Sequence, residues 1–273
     1  MLQQVILQTA APVTLDIESV DPSDIVIVES ISGLDPSDVT VFMGDYSRDG
    51  GYYQGRRSSG RNPVFNLKLN PDYPNDIEVS DIREMLYDWF LEPSPGSDEL
   101  MVTLKDDRKP DRYFVGVTEK LPADIFSRDT KAQVSMLCAD PFLRSVDQVV
   151  GHDAVGWISV PVTYEGSKRV GGFFQFLVKT ATNTLNFDIG GVLMTLVKPG
   201  SNFAINDVIT VNTEIGSRAI KLNGTDVMAY LAAGARWPEL NKGVNTIKTY
   251  GPVENDGKIV MTDYVYRAAW WGI

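Results

Sequence analysis

Short runs of β-branched and aromatic residues recur along this chain, separated about every ten positions by clusters of Gly, Pro, Asn and Asp. That rhythm predicts strands. In the first half they are expected at Ile25–Val28, Val39–Met43, Val64–Leu69, Leu100–Leu104, Tyr113–Thr118 and Ala132–Cys138, with the polar, proline-bearing "KDDRKPD" joining Leu104 to Arg112 as a hairpin connection. In the second half they are expected at Trp157–Thr163, Gly172–Lys179, Thr184–Asp188, Val192–Val197, Val208–Thr213, Arg218–Leu222, Thr246–Tyr250 and Lys258–Tyr266. Asn223-Gly224 fits a two-residue hairpin turn with positive φ at both positions.

One segment breaks the rhythm. In "SDIREMLYDWFLEP", Ile82, Met85, Leu86, Trp89 and Phe90 fall at i, i+3, i+4, i+7 and i+8, so they share one face of a helix. Asp81 and Glu84 resemble a capping pair at its start, and Pro93 supplies the stop. The reading is an amphipathic helix packed on the first sheet.

After "CADPFLRS" the turn density rises through "VDQVVGHDAVG", which reads as a connection between domains spanning 1–145 and 146–273. No helix of ordinary length is expected beyond residue 145, so the second domain should be a β-sandwich or jelly roll. The final "YVYRAAWWGI" carries two tryptophans and should end in a strand tied into a sheet, with the last segment, 261–273, packing back on the first domain. The fold class is mainly β.

Composition sharpens this picture unevenly. Of 273 residues 43% are hydrophobic, enough for ordinary cores, and the net charge is −11. Residues 1–150 hold 14 Lys/Arg against 26 Asp/Glu, a net −12, whereas the remainder is close to neutral at +1. An acidic field repels phosphate, which disfavours nucleic-acid affinity for the chain as a whole. One cysteine, Cys138, and one histidine, His152, exclude an internal disulfide and leave too few soft ligands for a typical zinc site. Cys138 reads as a small buried hydrophobe and His152 as part of a turn. Neither a G-x-S-x-G elbow nor a phosphate-binding G-x-x-x-x-G-K-[ST] loop is present, and no pair of carboxylates singles itself out for glycoside hydrolysis. The chain is expected to be non-enzymatic and to need no cofactor or metal. The start, "MLQQVILQTAAP", lacks the basic head of a secretory signal, and no apolar run approaches the ~18 residues of a membrane span. The protein is expected to be made and kept in a cytoplasm, or assembled there into something larger.

The richest stretch is "GDYSRDGGYYQGRRSSGR", Gly44 to Arg61. Asp45, Ser47, Asp49 and Gly50 match the first half of a calcium loop, but the twelfth position, which should be a bidentate Glu, is Arg56. Arginine interleaved with tyrosine is also what a single-strand binder uses, and here the acidic surroundings oppose that use. The favoured reading is a long, mobile β-hairpin that orders against a protein partner, with Arg48, Tyr52, Tyr53, Arg56, Arg57 and Arg61 as interface candidates. A competing function is glycan binding by the second domain, through stacking on Trp157 and Trp237 and, less specifically, Trp270 and Trp271.

The order of these features resembles a known family. "SGLDPSDVTVFMG", the arginine-rich hairpin, "NPVFNLKLNP", the helix, the strands around "RKPDRYFVGV" and "AQVSMLCADPF" are similar to the N-terminal domain of the siphophage distal tail proteins. "FAINDVITVNT", "RAIKLNGTDVMAYL", "RWPELNKGVNTI" and "VYRAAWWGI" resemble that family's galectin-like β-sandwich. The resemblance implies a belt domain with a helix and a long hairpin, joined to the sandwich. It further implies a structural virion protein at the phage tail tip, assembled in the host cytoplasm as a homohexameric ring. The major tail tube protein would dock on one face and a tail-tip or baseplate hub protein on the other, with DNA passing through the lumen and no membrane involved.

Overall fold

Val5 and Leu7 alternate with Gln4 and Ile6 along the opening residues and are fully buried, so a strand begins almost at once. The computed structural model describes residues 2–21, 23–45, 51–72, 75–122, 129–157, 159–254 and 256–273. The chain divides into two compact units, residues 1–146 with 270–273, and residues 147–269.

The first unit contains β1 (Leu2–Leu7), β2 (Val13–Asp16), β3 (Val26–Ser32), β4 (Val39–Asp45), β5 (Gly51–Ser58), β6 (Val64–Leu69), α1 (Val79–Phe90), β7 (Glu99–Asp106), β8 (Arg112–Lys120), β9 (Lys131–Leu137) and β10 (Leu143–Ser145). Its main sheet runs β2-β1-β7-β8-β9-β6-β3, and β10 pairs with β8 and with the chain's last short strand, Ala269–Trp270. The two outer strands of that order nearly meet. Ile17 forms a parallel bridge with Val28, and the Glu18 N–H donates to the Val28 carbonyl at 3.0 Å. The sheet therefore curls around a core that includes Val5, Phe65, Leu67, Val102, Phe114, Val134 and Met136, all at most 1% exposed.

Helix α1 covers this core with Val79, Ile82, Leu86 and Phe90, and the Phe90 ring lies 6.0 Å from that of Phe65. It starts three residues earlier than the expected capping pair implies. The Glu78 N–H donates to the Asp81 carboxylate at 2.8 Å, so the capping pair is Glu78 with Asp81, one turn before the expected Asp81 with Glu84. The β7–β8 hairpin forms as expected, with Leu104 opposite Arg112.

The second unit contains β11 (Val149–Trp157), β12 (Ser159–Tyr164), β13 (Phe173–Val178), β14 (Thr184–Ile189), β15 (Val192–Val197), β16 (Val208–Asn212), β17 (Ala219–Leu222), β18 (Thr225–Asp226), β19 (Gly243–Tyr250) and β20 (Ile259–Tyr266). One sheet runs β11-β20-β13-β16-β17-β18 and the other β12-β19-β14-β15. They form the galectin-like sandwich. Phe176 of the first sheet stacks on Phe187 of the second with ring centroids 4.2 Å apart, and alternate residues of both strands are buried. Asn223 and Gly224 both take positive φ between the paired Leu222 and Thr225, as the turn dipeptide requires.

Two expectations need correction here. The glycine-bearing "VDQVVGHDAVG" contains the passage between units at 146–147, but most of it is strand and not turn, because Val149–Trp157 pairs with β20 from Val149 opposite Tyr266 to Trp157 opposite Met261. Gly151 serves close approach and not a turn, since a Cβ there would fall 1.9 Å from Tyr264 Cε1. The strand expected over Trp157–Thr163 is also two strands, β11 ending in one sheet and β12 beginning in the other.

Candidate interaction surface

The β4–β5 hairpin is a two-stranded ribbon that, among the described residues, pairs with no other sheet. Val39 faces Ser58, Thr40 faces Arg57, Val41 faces Arg56 and Phe42 faces Gly55 across it. A bulge at Gln54 then shifts the pairing to Met43 with Tyr53 and Gly44 with Tyr52. Cross-strand partners share a face and successive residues alternate faces. One face therefore presents Val39, Val41, Met43, Tyr53 and Arg56, and the other Thr40, Phe42, Gly44, Tyr52 and Arg57.

Neither face is covered. Val41, Phe42, Met43, Tyr52 and Tyr53 are 44–61% exposed, in a contiguous apolar set of the kind that marks interaction sites. The expected β-hairpin is present, with 39–45 paired to 51–58. Gly44 fits this arrangement, because a Cβ there would lie 2.5 Å from Tyr52 Cζ, and the tyrosine ring covers the gap left by the missing side chain. Arg56 and Arg57 are exposed, with the Arg56 guanidinium 5.5 Å from the ring centroid of Trp271. Arg48, and with it Ser47, Asp49 and Gly50 of the half calcium loop, lies outside the described residues.

Arg61 is a different kind of residue from its neighbours in sequence. It is 2% exposed, so it reaches no partner molecule. Its Nε and Nη2 donate to the Pro141 carbonyl at 3.1 and 2.8 Å, its Nη1 to Gly33 and Asp35 carbonyls at 3.1 Å each, and its Nη2 also to the Trp271 carbonyl at 2.6 Å. Desolvation lowers its pKa, and the nearby acidic groups of Cys138, Asp140 and Asp35 oppose that shift. The fork of five donors suits a site where several carbonyls converge. Arg112, 7% exposed, acts beside it by donating to the Gly272 carbonyl at 3.3 Å and packing 4.4 Å from the Trp270 ring centroid.

These contacts fix the end of the chain to the first unit, where Trp270 is 8% exposed and Trp271 meets Phe142 edge-on at 4.9 Å. Neither tryptophan is a sandwich residue available for sugar stacking. Trp237 is half-buried with the Arg218 guanidinium 5.4 Å from its ring centroid, so a sugar would have to displace a cation from that face. Trp157 closes β11, and its side chain, like that of His152, is outside what the structure describes. Cys138 is fully buried, and desolvation pushes its thiol up to about 12. It is an inert packing group at pH 7. Among the described residues no cluster of His, Cys, Asp or Glu could hold a metal, and no helix is long and apolar enough to cross a membrane.

What sequence reasoning missed is the apolar part of the surface, Val41, Phe42 and Met43. A run with no polar alternation means that both faces of the strand seek cover. In this ribbon, which pairs with no other strand among the described residues, both faces stay exposed.

The chain is mainly β, in two units, and the first unit exposes an apolar and cationic ribbon. Residues 173–270, which lie almost wholly in the second unit, match the family described as siphovirus-type tail component, C-terminal domain. The whole fold is similar to the crystal structure of the Dit protein of phage SPP1, described as a paradigm of hub adsorption apparatus in phages infecting Gram-positive hosts. That likeness has a TM-score of 0.61 at 16% identity, covering 97% of this chain and 98% of that one. Two structures of the phage p2 baseplate in its activated conformation, with calcium and with strontium, align at TM-scores of 0.45 and 0.42. Each is 8% identical, covering 98% and 97% of this chain and 98% of each relative. No curated protein matches the sequence.

Proposed function

We propose that this chain is a structural, non-enzymatic protein of the phage tail, a distal hub that forms a ring of six copies between the tail tube and the tail-tip or baseplate apparatus that recognises the host. The observation that carries this reading is the siphovirus tail-component domain at residues 173–270, set in a fold that follows the SPP1 hub protein over 97% of the chain. The tube protein and the hub protein of the tip are its partners, the virion tail is its location, and the host cytoplasm is where it assembles.

The charge distribution supports the passage of DNA. If the first domains line the lumen, six copies at −11 each, from 14 Lys/Arg against 25 Asp/Glu in residues 1–146, bring −66 to the ring, a field that repels phosphate and lets a genome slide without adhering. The ribbon supports assembly, because exposed tyrosine, methionine and arginine are enriched where interfaces carry their binding energy.

Light scattering and negative-stain images of the purified full chain test the reading. A ring of six with a central hole is the expected result, and a monomer at high protein concentration would overturn it. Arg56→Glu with Arg57→Glu should reduce the ring while leaving the melting temperature within a degree or two of wild type.

A further inference from the structure

The ribbon's two faces are not equivalent. The face bearing Arg56 already has Trp271 beside that guanidinium, whereas among the described residues Arg57 has no carboxylate within ion-pair distance. Phe42 is the next residue toward the ribbon's tip on the Arg57 face, and Tyr52 lies one pair further along it; they are 47% and 44% exposed. This face is exposed and sets the Phe42 ring beside one positive charge.

A surface of matching character lies at the seam of the first unit's curled sheet. Beyond the single Ile17–Val28 bridge, the outer strands β2 and β3 diverge around a groove of about 770 Å³. Leu2, Ile17 and Val20 give it apolar walls, and Val20 is 97% exposed. Asp16, Glu18, Asp21, Glu29 and Asp107 line it with negative charge. Two of these carboxylates have exposed cations at the outer limit of ion-pair distance, Lys131 at 3.8 Å from Glu29 and 69% exposed, and Arg108 at 3.8 Å from Asp107 and 84% exposed. Exposed pairs of that kind contribute little. The groove therefore offers carboxylates, apolar walls and the incompletely paired edge of β3, all of which a cationic apolar ribbon satisfies together.

We propose that the Arg57 face of the β4–β5 ribbon of one copy seats in the acidic β2–β3 groove of a second copy, Arg57 meeting the groove carboxylates and Phe42 covering Ile17 and Val20. This rests on the assembly reading above and assigns its subunit contact. The two surfaces differ, so the contact is head-to-tail. Each joined copy still presents a free ribbon and a free groove, and the series ends only by closing on itself or by growing as a filament.

The only cysteine of the chain is Cys138, buried and inert, which makes the protein a clean background for an engineered disulfide. Phe42→Cys and Val20→Cys in the same full-length chain should yield a ladder of covalent multimers on mild oxidation. Either substitution alone should give no species beyond a dimer. As a second measurement, Arg57→Glu should lower the assembled fraction at least tenfold, and Arg57→Glu combined with Glu18→Arg and Asp21→Arg should restore it.

A ladder together with charge-swap rescue supports the contact. Assembled wild type with no ladder and no rescue overturns it and leaves the ring reading standing. A ladder from a protein whose wild-type assembly is not six-membered supports the contact and overturns the ring. A wild type that stays monomeric with no ladder overturns both.

Discussion

At the scale of single residues, the two kinds of arginine in the stretch from Gly44 to Arg61 are indistinguishable by composition and opposite in use. Arg61 is satisfied by carbonyls of Gly33, Asp35, Pro141 and Trp271, groups up to 210 positions away along the chain. No local pattern announces such a site, because its signal lies in backbone oxygens that only the fold brings together. Replacing Arg61 by Met leaves those buried acceptors without their donor, each at a cost of about 1–3 kcal/mol. Arg61→Met should therefore lower stability by at least about 3 kcal/mol in urea unfolding, while Arg57→Glu, on an exposed ribbon, should change it by no more than about 0.5 kcal/mol. Equal effects from the two substitutions would contradict the assignment of one to the interior and the other to the surface.

At the scale of elements, strands with regular alternation were legible, and Val64–Leu69 and Val192–Val197 have the expected ends. The exceptions share a cause. In β11 and in the ribbon, glycine sits where an aromatic ring of the paired strand needs room, Tyr264 over Gly151 and Tyr52 over Gly44, so a residue that usually signals a turn is here part of a strand. The opening strands β1 and β2 were hidden differently, since "LQQVIL" has two adjacent polar residues before its buried Val5 and Leu7. For α1 the apolar face was readable but its start was not, because Glu78, Asp81 and Glu84 repeat every three residues and offer two overlapping capping registers. The observed bond from the Glu78 N–H to Asp81 chooses between them. Asp81→Ala should cost about 0.5–1 kcal/mol, while Glu84→Ala, on an exposed position of the first turns, should be nearly neutral in the same denaturation experiment.

For the whole molecule, the first unit owns both ends of the chain, since residues 270–273 return to it after the sandwich is complete. The sequence indicated that an end rich in tryptophan would not stay in water. It could not show the partners, two arginines at 61 and 112, or that the site for Trp271 is completed by Phe142. Closing the fold with its last residues makes the first unit dependent on a finished chain. The Trp270 ring is nearly buried under the Arg112 guanidinium, and losing an aromatic of this kind from a core typically costs about 3–5 kcal/mol. Removal of the Trp271 and Gly272 carbonyls adds buried arginine donors left without acceptors. Deleting Trp270–Ile273 should accordingly lower the melting temperature of the first unit's transition by about 10 °C or more. Deleting Ile273 alone, whose side chain is 48% exposed, should lower it by about 2 °C at most. A four-residue deletion that melts like wild type would mean that the arginines find other acceptors and that the tail is an ornament to the unit. The expected drop makes the tail part of the first unit's core, so a chain stopped short of it would enter assembly with that unit destabilised.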